Sequence, residues 1–237
     1  GMIPILMYHS ISEVPSGEVM RSLHVTPGAF SRQMWMLKTL GFKALSMRDL
    51  KPYLANEKTG KVVGLTFDDG YKNTLHTARP IFEKYGFTAT CYFVSGQVGG
   101  YNQWDESKGI AKNLLMDADE ILQWNEFGNE VGAHTHTHLN FMNSTDAAIQ
   151  NELGQCQRAL ADIVGEPIDA FCYPYGAWKE PHDQWVRDAG FDNATTMRRG
   201  RASTESDRFR LPRVPVNNRT SLIAFAQKIL TGYEDNR

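Results

Sequence analysis

Eight short apolar runs recur along the chain, each followed by a segment with helical end signals, and this alternation limits the fold more than any other feature. The runs cover residues 3–8, 43–45, 62–67, 89–94, 130–133, 170–173, 193–196 and 210–214. Several are too apolar and too short for a sheet with one wet face, as expected where both faces are covered. Thr26-Pro27 supplies an N-cap and a proline at the first helical position, and Gly41 closes that helix. Ser46 caps a short helix to about Leu54, and a helix over 78–85 ends at Gly86. Asp117 with Glu120 forms a capping box for a helix running to Phe127. Ser144 or Thr145 opens a long helix closed near Gly165, a helix over 181–189 ends at Gly190, and Thr220 caps the last one. No repeat, low-complexity tract or linker interrupts the pattern. It predicts one α/β domain over residues 2–237, a parallel sheet clothed in helices, either a barrel or an open doubly wound sheet. The irregular stretch 95–116 is too long for an ordinary connection, and loops of that length are often functional. Its Tyr101 and Trp104 are candidates for stacking on a sugar ring, or simply for local packing.

Composition excludes some partners. Lys and Arg number 25 against 27 Asp and Glu, so the formal charge is −2 and there is no basic surplus for nucleic acid or an anionic membrane. No apolar run approaches the roughly 20 residues of a membrane span. Gly1 before Met2 reads as a tag remnant. With Met2 as the start, the run 3–8 lacks the basic flank and cleavage site of a secretory signal, which predicts a cytoplasmic protein. If the chain was trimmed upstream of Met2, an exported protein is the alternative. Cys91, Cys156 and Cys172 have neither metal-like nor disulfide-like spacing and read as buried structural thiols.

Reactive residue types gather where the apolar runs end. His9 follows 3–8, Asp68 and Asp69 follow 62–67, His134 follows 130–133, and Pro174-Tyr175 follow 170–173. In an α/β barrel the active site is built at that C-terminal rim. Adjacent residues point different ways, so of two neighbouring carboxylates one can ligate a metal while the other faces a reacting water. His134, His136 and His138 alternate. An extended chain would put all three on one face, as in a three-histidine zinc site, whereas a chain turning helical after His134 aligns His134 with His138 and excludes His136. The short preceding run favours the turn. Asp69, His134 and His138 are then the metal ligands, with open positions for water and substrate.

In this order and spacing, Thr66-Phe67-Asp68-Asp69-Gly70, His134-Thr135-x-x-His138 and Phe171-Cys172-Tyr173-Pro174-Tyr175-Gly176 resemble the three leading motifs of the polysaccharide deacetylases, the NodB-type carbohydrate esterases. The likeness extends to Pro4–Ile11, 27–50 and Leu211-Pro212-Arg213-Val214. It implies a deformed (β/α) barrel of about seven to eight parallel strands holding one divalent metal, zinc before cobalt, manganese or nickel. It implies Asp68 as general base, Asp69, His134 and His138 as ligands, and the Tyr175 N–H as oxyanion donor. It implies a carbohydrate substrate at the Pro174-Tyr175 rim, where Trp104 of the long stretch is the candidate for stacking on the sugar.

Two positions depart from the family pattern. Cys172 stands where an arginine usually orients the base, and Val214 where a histidine usually supplies the acid. An amine cannot leave as its anion, so an acid is still required, and His9 is the best remaining candidate. The poly-N-acetylglucosamine deacetylase branch shows similar departures. The leading expectation is removal of N-acetyl groups from an amino-sugar glycan or its precursor. O-acetyl ester hydrolysis and a degenerate glycan-binding barrel are the rivals. His24, His76 and His182 read as surface residues, and Trp35 and Trp185 as core.

Overall fold

The computed structural model describes residues 1–14, 16–17 and 23–235, so residues 15, 18–22, 236 and 237 of the expected 2–237 domain lie outside it. All eight expected runs form parallel strands. They are β1 (Ile5–Tyr8), β4 (Lys43–Leu45), β5 (Val62–Asp69), β6 (Thr90–Phe93), β7 (Glu130–Ala133), β8 (Ala170–Cys172), β9 (Asn193–Arg199) and β10 (Leu211–Pro215). Two short strands that the apolar pattern does not reveal, β2 (Ser10–Ile11) and β3 (His24–Val25), pair with each other outside this sheet. The sheet runs β1-β10-β9-β8-β7-β6-β5-β4, and β1 also pairs with β5. Seven strands therefore close a barrel and β4 hangs outside it. Closure is possible because β5 is eight residues long. Its Val62–Gly64 pair with β4, while Gly64–Phe67 pair with β1.

Side-chain alternation then sorts the core. Leu65 and Phe67 of β5 join the outer cluster with Tyr8, Phe30, Phe82 and Trp124. Phe67 stacks on Tyr8 at 5.5 Å and meets Trp124 edge-on at 6.4 Å. Truncating such a ring to alanine costs about 3–5 kcal/mol. Ile5, Tyr92, Cys172 and Leu211 form a second cluster with Met47 and Leu50 of α2 (Met47–Leu54), the helix that plugs the N-terminal end of the barrel. Thr66, Asp68, His134 and Arg213 are buried among the same strands, so the barrel interior turns polar toward its C-terminal end.

The helices begin where the capping residues place them. Thr26 caps α1 (Pro27–Thr39) and Ser46 caps α2. The Asp117–Glu120 box opens α4 (Ala118–Glu126), and Thr145 opens α5 (Asp146–Val164), which closes on Gly165 at φ 74°. The segment expected over 78–85 begins earlier, as a π-helical turn Thr74–Ala78 leading into α3 (Arg79–Glu83). Pro80 has no N–H to complete a regular ladder there. A helix α6 (His182–Asp188) follows, and α7 (Leu222–Leu230) is capped by Ser221 rather than Thr220, whose hydroxyl accepts instead from the Asn217 N–H. Three further expectations are corrected. His24 and His182 are buried, and Trp35 is exposed on α1. Among the described residues no helix is long and apolar enough to cross a membrane.

Candidate functional site

Thr66 and Asp68 point into the barrel, and the chain then breaks its alternation: Asp69 and Gly70 take φ of 82° and 86°. A Cβ at Gly70 would lie 2.7 Å from the Phe93 ring, so the turn after Asp69 admits only glycine. The turn aims Asp69 across the barrel mouth. Its Oδ1 lies 3.3 Å from His134 Nε2 and 3.2 Å from His138 Nε2, while its Oδ2 accepts from the Tyr71 hydroxyl at 3.1 Å.

The histidine segment does not turn as a regular helix. Thr135 and His138 both have positive φ, 64° and 62°, in an irregular loop clamped from two sides. Glu152 of α5 accepts from the backbone N–H groups of His136 and Thr137, both at 2.9 Å, and from the Thr137 hydroxyl at 2.6 Å. On the other side Ser95 N–H donates to Thr135 O and Gly96 N–H to His136 O. A Cβ at Gly96 would lie 2.4 Å from that carbonyl, so only glycine fits. His136 Nδ1 bonds to Ser95 Oγ at 2.8 Å and stands apart from the ligand cluster.

The donor set of this cluster suits a metal. Asp69, His134 and His138 each offer one ligand atom, all within 4.8 Å of one another and all on buried residues. His134 Nδ1 lies 2.8 Å from the Cys172 carbonyl. Donation to that oxygen fixes the tautomer whose Nε2 lone pair faces Asp69, the usual arrangement behind a ligating histidine. Trp104 lies flat on His138, ring centroids 4.4 Å apart at 2°, and Tyr175 meets the same imidazole edge-on at 4.5 Å. One face of Trp104 is thus covered by His138, and the indole reaches the cavity beside it. Burial pushes His138 down to about 4, against its hydrogen bond to Asp69, which keeps it neutral. Burial raises the Asp69 carboxyl, but its close contacts with the two histidines outweigh this and hold it well below the usual range.

The far side of the site holds a residue that the motif comparison passed over. Arg213 of β10 is buried and grips Asp68 with two bonds, Nη1 to Oδ1 at 2.7 Å and Nη2 to Oδ2 at 2.9 Å. It also donates to Thr196 O, Thr66 Oγ1 and, at 3.2 Å, Cys172 Sγ. The arginine absent from position 172 is therefore supplied two strands along the barrel, and the small Cys172 leaves room for it. A register shift between Leu211 and Arg213 marks where β10 bends to deliver it. A charged residue inside an otherwise apolar strand was the signal that could have found it. Burial raises the Asp68 carboxyl, but the Arg213 charge wins and leaves it below the usual range. His9 Nε2 lies 3.6 Å from Asp68 Oδ2.

Asp68, Asp69, His9, His134, His138, Trp104 and Tyr175 all line one cavity of 430 Å³. Of the expected site residues, Tyr101 is missing from its wall and lines a separate hollow with Glu106 and Lys112, and Pro174 is missing too. Pro174 is buried, and its carbonyl accepts from the Ala177 N–H in the kink where Tyr175 takes φ 61°.

Comparison with known proteins agrees with this geometry. The chain is 28% identical over 229 residues to YxkH of Bacillus subtilis, named for the polysaccharide deacetylases, covering 96% of this chain and 76% of that one. It is 22% identical over 217 residues to the poly-beta-1,6-N-acetyl-D-glucosamine N-deacetylase of Staphylococcus epidermidis, covering 88% and 73%. The structure of the Streptococcus pyogenes deacetylase PplD in complex with acetate superposes with a TM-score of 0.83 at 25% identity, over 97% of this chain and 98% of that one. The family profile described as polysaccharide deacetylase matches residues 55–194, more than half the sequence, and with the closed barrel and its rim this shows that the chain belongs to the polysaccharide deacetylase family, whose members are hydrolases.

Proposed function

We propose that this protein removes N-acetyl groups from an amino-sugar glycan with the help of one divalent metal ion. The observation that carries the reading is the pairing of two unlike carboxylates in one cavity: Asp69 gathered with two histidines, and Asp68 gripped by Arg213 beside His9. Asp69, His134 and His138 would hold the ion. Their mixed oxygen and imidazole donors favour zinc, with cobalt or nickel as close substitutes. When bound, such an ion acidifies water and polarises a carbonyl.

The protein's own groups supply the rest. Arg213 keeps Asp68 ionised, so the carboxylate is ready to take a proton from the attacking water. A carboxylate of such low basicity serves only where water itself is made more acidic, which ties Asp68 to the neighbouring ligand set. His9, whose Nε2 lies 3.6 Å from Asp68 Oδ2, would give a proton to the departing amine. The Tyr175 N–H, turned by the kink at φ 61°, is assigned to the oxygen that becomes negative. The apolar wall of Leu23, Trp104, Ile110 and Met197 holds the sugar and thins out bulk water. The relative named for poly-beta-1,6-N-acetyl-D-glucosamine supports an N-acetylglucosamine polymer as the substrate class.

Elemental analysis of the purified protein, paired with a free-amine assay on N-acetylated oligosaccharides, tests the reading. One equivalent of metal and amine release are expected. Asp69→Ala and His134→Ala should lose both. Full turnover by rigorously metal-free protein would overturn the proposal.

A further inference from the structure

Asp105 is a carboxylate of the catalytic cavity that the chemistry above leaves unused. It lines the same wall space as His9, Asp68 and Asp69 and is only 5% exposed. Burial and the nearby Asp69 charge raise its pKa, so the residue sits there at a cost. Its position is imposed rather than incidental. The buried Asn102 donates from Nδ2 to Asp105 Oδ2 and to Ala111 O, both at 3.1 Å, and accepts at Oδ1 from the Asn113 N–H at 2.7 Å. Asn113 is tied in turn to Ser10 Oγ at 3.1 Å, which pins the loop to the chain just beyond β1. The remaining oxygen, Oδ1, has Lys108 Nζ at 4.0 Å, beyond hydrogen-bond reach. Lys108 lies instead over the Tyr175 ring, 4.1 Å from its centroid.

The cavity's other carboxylates are committed, Asp68 to Arg213 and Asp69 to the histidines. Asp105 presents an acceptor to that cavity, and an ionised carboxylate accepts only. Its natural partner is a hydroxyl donor, and a pyranose carries several. We propose that Asp105 holds the reacting sugar by accepting a hydrogen bond from one of its free hydroxyls, and so excludes sugars in which that hydroxyl is substituted. The inference rests on the N-deacetylase reading. Asp105 acts on substrate recognition and on nothing in the metal cluster.

The test uses the metal-loaded protein, an N-acetylglucosamine oligosaccharide, and analogues in which each ring hydroxyl of the reacting residue is replaced singly by hydrogen. The wild type should lose about 10–100-fold in kcat/KM on one analogue, the range for a lost hydrogen bond to a charged group. Asp105→Ala should lose the same factor on the parent sugar, mostly through KM, and nothing further on that analogue. Asp105→Asn, which keeps a neutral acceptor, should fall between them, metal content should stay at the wild-type value, and melting temperature should not fall. Equal losses on every analogue would reduce Asp105 to a support of its loop, and no loss would remove it altogether. Failure of the wild type to act on the parent sugar overturns the N-deacetylase reading itself, and this inference with it, before any variant is examined.

Discussion

Asp68 on β5 and Glu130 on β7 are both buried in the same parallel barrel, yet their surroundings push their acidity in opposite directions. Asp68 lies toward the C-terminal rim and faces the Arg213 guanidinium, whose charge overcomes the burial penalty. Glu130 lies at the N-terminal end, level with Thr90 in the strand register. Its Oε1 accepts from the Thr90 hydroxyl at 2.7 Å and from the Arg48 N–H of α2 at 2.9 Å. Burial outweighs those hydrogen bonds and the Arg48 charge, and pushes Glu130 up to about 7. The comparison teaches that depth alone does not decide the state of a carboxylate in this barrel. A paired cation makes one end reactive; neutral donors make the other a structural plug.

Breaking the reactive end should produce the largest effect. Asp68→Asn keeps the shape and removes the proton acceptor, so kcat should fall about 10²–10⁴-fold while bound metal stays at wild-type stoichiometry. Loss of the metal from this variant would show that Asp68 belongs to the ligand set instead. Arg213→Leu attacks the same pair from the other side. It leaves the Asp68 charge buried without a partner, at a cost of about 3–5 kcal/mol in urea unfolding. The double variant Asp68→Asn with Arg213→Leu should recover part of that loss, because the orphaned charge is gone. Strict additivity in this cycle would deny that the pair matters.

The structural end offers a pH signature of its own. A carboxyl raised from an ordinary value near 4.5 to about 7 holds a proton in the folded state that it releases when unfolded. Stability from this group is complete below the unfolded pKa and is lost as pH rises through about 7. The difference amounts to about 3 kcal/mol at most. Glu130→Gln resembles the protonated form, so it should match the wild type near pH 4.5 and exceed it in stability at pH 8. Parallel pH curves for the two proteins would remove the contrast with Asp68.

Much of this was legible in the sequence, for physical reasons. Strands covered on both faces read as apolar runs, and all eight appeared. Capping oxygens fixed the starts of α1, α2, α4 and α5. Asp68, Asp69, His134 and His138 were visible because a turn glycine and a spacing betray a rim. Arg213 was overlooked because its partner is 145 residues away and its own strand reads as apolar. The α7 cap went to Ser221 rather than Thr220, since both carry the hydroxyl that a cap requires. Trp35 was expected in the core because helical spacing tells a face but not whether anything lies against it. The clamp on the histidine loop was equally hidden, because it is made with backbone N–H groups that no motif records.

That clamp allows the smallest and most specific prediction. Glu152 is another buried carboxylate, and it differs from Asp68 and Glu130 in binding a loop. Its three accepted hydrogen bonds hold His136 and Thr137, the residues flanked by the strained backbones of Thr135 and His138. Without them the loop can relax, and His134 and His138 would have to be ordered at the moment a metal binds. Outer-shell partners of metal ligands typically contribute 10–100-fold to affinity. Glu152→Ala should therefore weaken cobalt binding to the apoprotein by about that factor, read from the visible absorption of the bound ion. Glu152→Gln retains an oxygen for the two N–H groups, and its amide can donate to the Thr137 hydroxyl, so it should restore most of the loss. An alanine variant that binds cobalt as tightly as the wild type would mean that the positive-φ residues and the Ser95–Gly96 contacts hold the loop unaided.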